Sequence, residues 1–260
     1  MKIKEVLAFM EQKCPLSWQE DFDNCGVQCG DRQKELSGIE VCFNFSEEVL
    51  NDAIEKKNNL IISHHPLIFA GLKKIEPTNE IGRMVIKAIE NGLTLYSMHT
   101  NMDSAVWGGN WLFAEKLQLS DCKVLEPHDG EPEVGLGRIG KLPKEMELAE
   151  FIAFVKEKLQ VEHLRYTGNP DLKIARVALC GGAGGSLLKT ALRAGADAYL
   201  TGDLKYHDFF SADKKMLIAD LGHFETEHFI KDIIFDLLKK QFADVPLSLY
   251  EGETSGIQFV

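Results

Sequence analysis

The feature that most restricts what this chain can fold into is a repeated local design: short apolar runs that stop at a histidine or a carboxylate. Leu60-Ile61-Ile62-Ser63 runs directly into His64-His65-Pro66. An apolar run without polar alternation reads as a strand buried on both faces. Pro66 ends it, which leaves both imidazoles at the C-terminal mouth, where open α/β sheets place their ligands. Thr94 to Ser97 repeats the design, with His99 and Asp103 at its mouth. Leu217 to Asp220 repeats it again: the chain turns at Gly222 and His223 opens a helical pattern in which Glu227 lies four residues on, hence on the same face. Three mouths therefore offer His64, His65, Asp103, His223 and Glu227, with His99 close by. Neighbouring strand residues point to opposite faces, so His64 and His65 suit two ions better than one. Imidazoles and carboxylates without thiolate suit zinc, iron or manganese hydrolytic chemistry rather than a structural zinc knot, and carboxylates readily bridge a pair of ions.

Around these runs the chain alternates strand and helix. Ile3 to Gln12 spaces its apolar residues as a helix, Gly38 to Phe45 reads as a strand, and Ser46 caps a helix whose first turn carries Glu47 and Glu48. With the His-His strand this makes a βαβ unit, whose parallel strands open on one edge. Helices are expected over Asn79 to Asn91 and Gly108 to Leu117, where Trp107 and Trp111 serve either packing or the rim of a site. The Pro- and Gly-containing stretch Glu126 to Glu133 reads as a hinge. The expected architecture is thus α/β: two lobes, 1–125 and 126–260, with mostly parallel sheets flanked by helices. In the second lobe strands are expected at Val134 to Leu142, near His163 to Thr167, at Lys173 to Cys180 and from Ala198 towards Asp203. Helices follow at Glu147 to Leu159 and Phe224 to Phe242, the last burying Phe229, Ile233 and Leu237, and a strand at Pro246 to Tyr250 ends the order. His163 reads as an ordinary surface histidine. The run Gly181-Gly182-Ala183-Gly184-Gly185-Ser186 is either an anion cradle at a helix start or simply a tight turn; it has neither the P-loop ending nor the dinucleotide glycine spacing.

Composition removes several function classes. A formal net charge of −11 argues against a broad nucleic-acid face, which needs clustered Lys and Arg. The six cysteines form no Cys-x-x-Cys pair and read as reduced, small buried side chains. The N-terminus opens on an amphipathic helix rather than a signal peptide, and no apolar stretch approaches bilayer length, so a cytoplasmic protein without membrane contact is expected.

Taken in order, Ser63-His64-His65-Pro66, His99-Thr100-Asn101-Met102-Asp103, Thr201-Gly202-Asp203-Leu204-Lys205-Tyr206-His207-Asp208 and Gly222-His223-Phe224-Glu225-Thr226-Glu227 resemble the motifs of the dinuclear-metal NGG-one-interacting-factor-three-like family. The turn from Asp23 to Gly30 resembles that family's opening motif. Bacterial members are known as GTP cyclohydrolase 1 type 2 homologs. The resemblance implies a two-metal centre at the lobe interface, with His64, His65, Asp103, His223 and Glu227 as ligands to two divalent ions per chain (zinc, iron or manganese). It also implies a hexameric ring. Some members carry an additional domain between the lobes, for which this chain has no room. His99, Asp203, His207 and Glu225 lie beside the ligand motifs and are the candidates for proton transfer. Two functions stay open: a metal-dependent hydrolase, GTP cyclohydrolase-like and acting on a small anionic substrate, or a non-catalytic metal-binding ring scaffold.

Overall fold

Short runs of β-branched and other apolar residues set the strands, and capped amphipathic segments set the helices between them. The computed structural model describes residues 1–259. Its strands in chain order are β1 (Gly26–Cys29), β2 (Ile39–Cys42), β3 (Leu60–Ser63), β4 (Thr94–Ser97), β5 (Ser120–His128), β6 (Glu131–Glu147), β7 (Arg165–Thr167), β8 (Lys173–Leu179), β9 (Ala198–Thr201), β10 (Leu217–Asp220) and β11 (Leu247–Leu249).

The chain forms two compact units. The first comprises Met1–Met102 together with Phe229–Glu253. Its sheet has the order β1-β4-β3-β2-β11. β2, β3 and β4 run parallel in even register, Ile39 opposite Leu60 and Ser63 opposite Ser97, so all three open on the same edge. Every residue of these three strands is buried, as expected of a parallel sheet covered on both faces. The helices Glu47–Lys56 and Glu80–Glu90 start where their caps dictate. Ser46 Oγ accepts from Val49 N at 3.2 Å and Asn79 Oδ1 from Gly82 N at 2.7 Å. Their buried faces, including Val49, Leu50, Ala53, Val85 and Ala88, pack with Ile61 and Leu95 into one core. β1, expected only as a turn-rich piece, is a short strand antiparallel to β4.

The second unit comprises Asp103–His228 and the residues from Thr254 onward. Its sheet has the order β5-β6-β8-β9-β10-β7. Only β8, β9 and β10 are parallel; β5, β6 and β7 pair antiparallel, so this sheet is mixed rather than mostly parallel. The expected hinge at Glu126 to Glu133 is instead the tip of a hairpin. β5 and β6 pair through Glu126 and Leu136, and Asp129 and Gly130 make the turn. The Pro and Gly that mark a linker mark a hairpin equally well.

The units also differ from consecutive halves cut at 125/126. The chain leaves the first unit after Met102 and returns to it at Phe229, because β11 pairs parallel with β2. The single helix expected from Phe224 to Phe242 is two helices, His223–Glu227 and Ile230–Gln241. The break at His228 and Phe229 shifts the phase of the buried stripe to Ile230, Ile234 and Leu238 in place of Ile233 and Leu237. Among the described residues no helix is long and apolar enough to cross a membrane.

Candidate functional site

Each unit carries one group of ligand-type side chains. In the first unit the exits of β3 and β4 bring together three imidazoles. One ring nitrogen each of His64, His65 and His99 lies within 4.8 Å of the other two, and the rings meet at centroid distances of 4.8 to 5.3 Å. Each ring is oriented through Nδ1. His64 Nδ1 donates to the Met98 carbonyl at 2.8 Å, His65 Nδ1 to Asn44 Oδ1 at 2.7 Å, and His99 Nδ1 to Asp23 Oδ1 at 2.8 Å. An acceptor at Nδ1 fixes the tautomer and leaves the Nε2 lone pair to serve as a ligand or base.

Asp23 is itself built in. It accepts from Thr100 N at 3.0 Å and also from Thr100 Oγ1, and Cys25 Sγ approaches it at 3.1 Å. Burial opposes its charge, but the hydrogen bond and charge of His99, with the Thr100 and Cys25 donors, hold the carboxyl well below the usual range. Burial, together with the Asp23 charge, pushes the Cys25 thiol up to about 12. Cys25 is therefore a neutral donor and not a thiolate ligand.

In the second unit the group is built on the exit of β10. Gly222 turns the chain with φ +94°, a backbone conformation that residues with a Cβ rarely adopt. His223 then opens its helix. Its Nε2 lies 2.9 Å from Glu227 Oε2, as the four-residue spacing predicts, and its Nδ1 lies 2.7 Å from Asp203 Oδ2. Burial alone would lower the His223 pKa, yet the carboxylates at both nitrogens raise it to about 9. A carboxylate oxygen of Glu227 also lies within 4.8 Å of one from Asp103, which is buried. Asp203 takes positive φ at the turn after β9. That turn is anchored by Asp220, which accepts from Leu204 N and Gly222 N at 3.0 Å each and pairs with Arg165.

The glycine-rich segment has a role that the sequence left open. The N–H of Gly181 donates to Asn110 Oδ1, that of Gly182 to Thr226 Oγ1 and that of Gly184 to Thr201 Oγ1, at 2.8 to 3.0 Å. These amides are used within the fold. A Cβ on Gly182 would meet Glu227 Oε1 at 2.2 Å, and one on Gly181 would meet Glu227 Cγ at 2.9 Å. The glycines are what let the Glu227 carboxylate lie against the loop, which favours the tight-turn reading over an anion cradle.

The other sequence candidates fall as follows. His99 joins the imidazole group, Asp203 holds His223, and Glu225 lies beside Gly222. His207 is exposed, packed edge-on against Tyr206. Trp107 and Trp111 are half-buried. Sequence reasoning missed Asp23, Asn44, Asp220 and Thr226, the residues that orient the others. Only Asp23 carried a signal, through its place in the opening turn; the rest act through contacts from 2 to 55 residues away in sequence.

The donor set, imidazoles and carboxylates with their far nitrogens already committed, fits divalent metal ions. Comparisons with known proteins identify the family. The sequence model for Duf34/NIF3 (NGG1p interacting factor 3) matches residues 1–255. A relative from Clostridium perfringens, described as a GTP cyclohydrolase 1 type 2 homolog, is 36% identical over 230 residues, covering 87% of each chain. Another of that description from Lactococcus lactis is 34% identical, covering 97% of this chain and 96% of its own. Among solved structures, a hypothetical protein of Staphylococcus aureus superposes with a TM-score of 0.91 at 27% identity, covering 100% of this chain and 99% of its own. A Bacillus cereus protein related to NIF3 reaches 0.92 at 25% identity with the same coverage. With the match spanning both units, the chain belongs to the Duf34/NIF3 (NGG1p interacting factor 3) family.

Proposed function

We propose that His64, His65, Asp103, His223 and Glu227 hold two divalent metal ions and that the resulting centre hydrolyses a small substrate, in the manner implied by the name GTP cyclohydrolase 1 type 2 homolog. The observation that carries this reading is the set of Nδ1 contacts: His64, His65 and His223 each have Nδ1 on an oxygen acceptor, the arrangement by which metal-binding histidines are oriented to ligate through Nε2. Two such ions supply Lewis acidity and bring the pKa of a bound water towards about 7.

The chain's own part is orientation and proton handling. Asp203 and Glu227 keep His223 in register on its short helix. His99, with Nδ1–H held by Asp23, offers Nε2 as the proton acceptor next to His64 and His65. Its carboxylate partner stabilises the imidazolium that forms when the proton arrives. A hexameric ring and a cytoplasmic setting belong to the same reading. The ring is supported by the resemblance and by exposed aromatics such as Tyr206 and Phe210, and the setting by six unbridged cysteines.

The second reading, a metal-binding ring without turnover, is favoured by the glycine-loop amides, whose use inside the fold removes the most obvious cradle for a nucleotide phosphate. Protein reconstituted with zinc, iron or manganese and assayed for GTP ring opening, and against a panel of phosphoesters and cyclic amides, decides between them. Turnover above that of His65→Ala supports the hydrolase. Full metal loading with no turnover of any substrate supports the scaffold.

A further inference from the structure

After β11 the chain continues past the exit of β2, where Glu253 meets the Phe43 and Asn44 amides. Lys231, on the helix Ile230–Gln241, donates to the Tyr250 carbonyl at 2.8 Å and pairs with Glu253 Oε2 at 3.1 Å. Both side chains are nearly enclosed, 11% and 8% exposed. The Glu253 carboxylate in turn caps the end of β2. Phe43 N lies 3.0 and 2.9 Å from its two oxygens and Asn44 N lies 2.5 Å from Oε1. These amides lie just past the last paired residue of the strand, and a charged acceptor on a buried N–H makes a strong, directional bond.

Phe43 and Asn44 are also the residues that set the His64-His65 pair. Asn44 Oδ1 takes the Nδ1 proton of His65, and the Phe43 carbonyl accepts from His65 N at 3.1 Å. The Phe43 ring is stacked on His64, with centroids 5.6 Å apart and planes 12° from parallel, and lies 4.5 Å from the His65 ring. A strap that only had to pack here would do so with apolar side chains. An enclosed ion pair loses much of its attraction to desolvation, so its use points to geometry rather than bulk stability.

We infer that Glu253, held by Lys231, is a positioning residue: a carboxylate from the far end of the chain that fixes the Phe43-Asn44 backbone and through it the tautomer and orientation of His65. The functional weight of this device rests on the imidazole pair being a ligand pair. Its test begins without metal, so that the two ideas fail separately.

In metal-free protein with ¹⁵N-labelled histidine, at a pH where the rings are neutral, NMR of the wild type shows His65 as one Nδ1–H tautomer. Glu253→Ala gives a mixture at His65, while His64, held by the Met98 carbonyl, keeps its tautomer. Zinc affinity then falls about tenfold, the low end of the effect of outer contacts to metal-bound histidines. Lys231→Met, which leaves the carboxylate unanchored, shifts the His65 tautomers in the same direction by less. If Glu253→Ala does not fold, Glu253→Gln replaces it, its amide being too weak an acceptor to hold two N–H groups and so expected to give a partial mixture. A single unchanged His65 tautomer in a folded Glu253 variant overturns the inference, and so does an equal disturbance of His64. Wild type that binds no zinc but shows the His65 shift in Glu253→Ala would overturn the metal reading and leave the positioning role standing.

Discussion

The two ligand groups are oriented by different chemistry. His64 and His65 rest on neutral acceptors, a backbone carbonyl and an amide oxygen, whereas His223 has a carboxylate at each nitrogen. A neutral acceptor fixes a tautomer without favouring the charged ring; two carboxylates favour the imidazolium and raise His223 to about 9. His99, the third imidazole of the first group, has one carboxylate, Asp23, at Nδ1, so only His223 is gripped by carboxylates on both sides. If His223 serves as a ligand, the proton it shares with Glu227 has to leave, so metal uptake there would release a proton.

The largest effect that would break this comparison is loss of a ligand. Glu227→Ala or His64→Ala should lower metal content severely, while the circular dichroism of both variants stays native. Next is Gly182→Ala. The residue has φ +58° and its Cβ would overlap Glu227 Oε1, so a cost of about 1–3 kcal/mol in chemical denaturation is expected, together with weakened metal binding; an unchanged variant would mean that the loop does not seat Glu227.

Smaller and more telling is Asp203→Asn. Removing one of the two carboxylates should bring the His223 pKa down from about 9 towards its ordinary value, read by NMR titration, whereas Asn44→Ala should mix the tautomers of His65. The pH dependence of stability follows with a definite sign. The folded-state pKa of His223 is raised above the ordinary 6.5, so in metal-free protein its contribution is complete below about 6.5 and is lost as pH climbs through about 9. Denaturation midpoints measured from pH 6 to 10 should fall over that window in wild type and be flatter in His223→Gln. Smallest is Lys205→Ala. The side chain is exposed, and its loss should weaken a phosphorylated substrate modestly and a neutral one hardly at all; equal losses would count against an anionic substrate.

What the sequence revealed follows from how local each feature is. The parallel strands β2, β3 and β4, the cap at Ser46 and the i, i+4 pair His223 and Glu227 depend on residues a few positions apart, and all were legible. The orienting contacts were not, because Asn44 to His65 and Asp23 to His99 join residues 21 and 76 positions apart. The strand at Pro246 to Tyr250 was legible and is β11, but its place beside β2 was not, because the two are some 200 positions apart. The hairpin at Asp129-Gly130 was misread because linkers and tight turns share Pro and Gly, and periodicity cannot tell them apart. In the glycine run, the spacing allowed a cradle or a turn; only the side-chain acceptors on its amides separate the two.

The proposed function requires that the chain bind two divalent ions, with His64 and His223 both among the ligands. Elemental analysis of protein stripped of metal and reconstituted with excess zinc or manganese, then desalted, tests it most directly. The account predicts two ions per chain in the wild type, with content falling in both His64→Ala and His223→Ala. One ion or none in the wild type, or full retention of two ions in either variant, would contradict it.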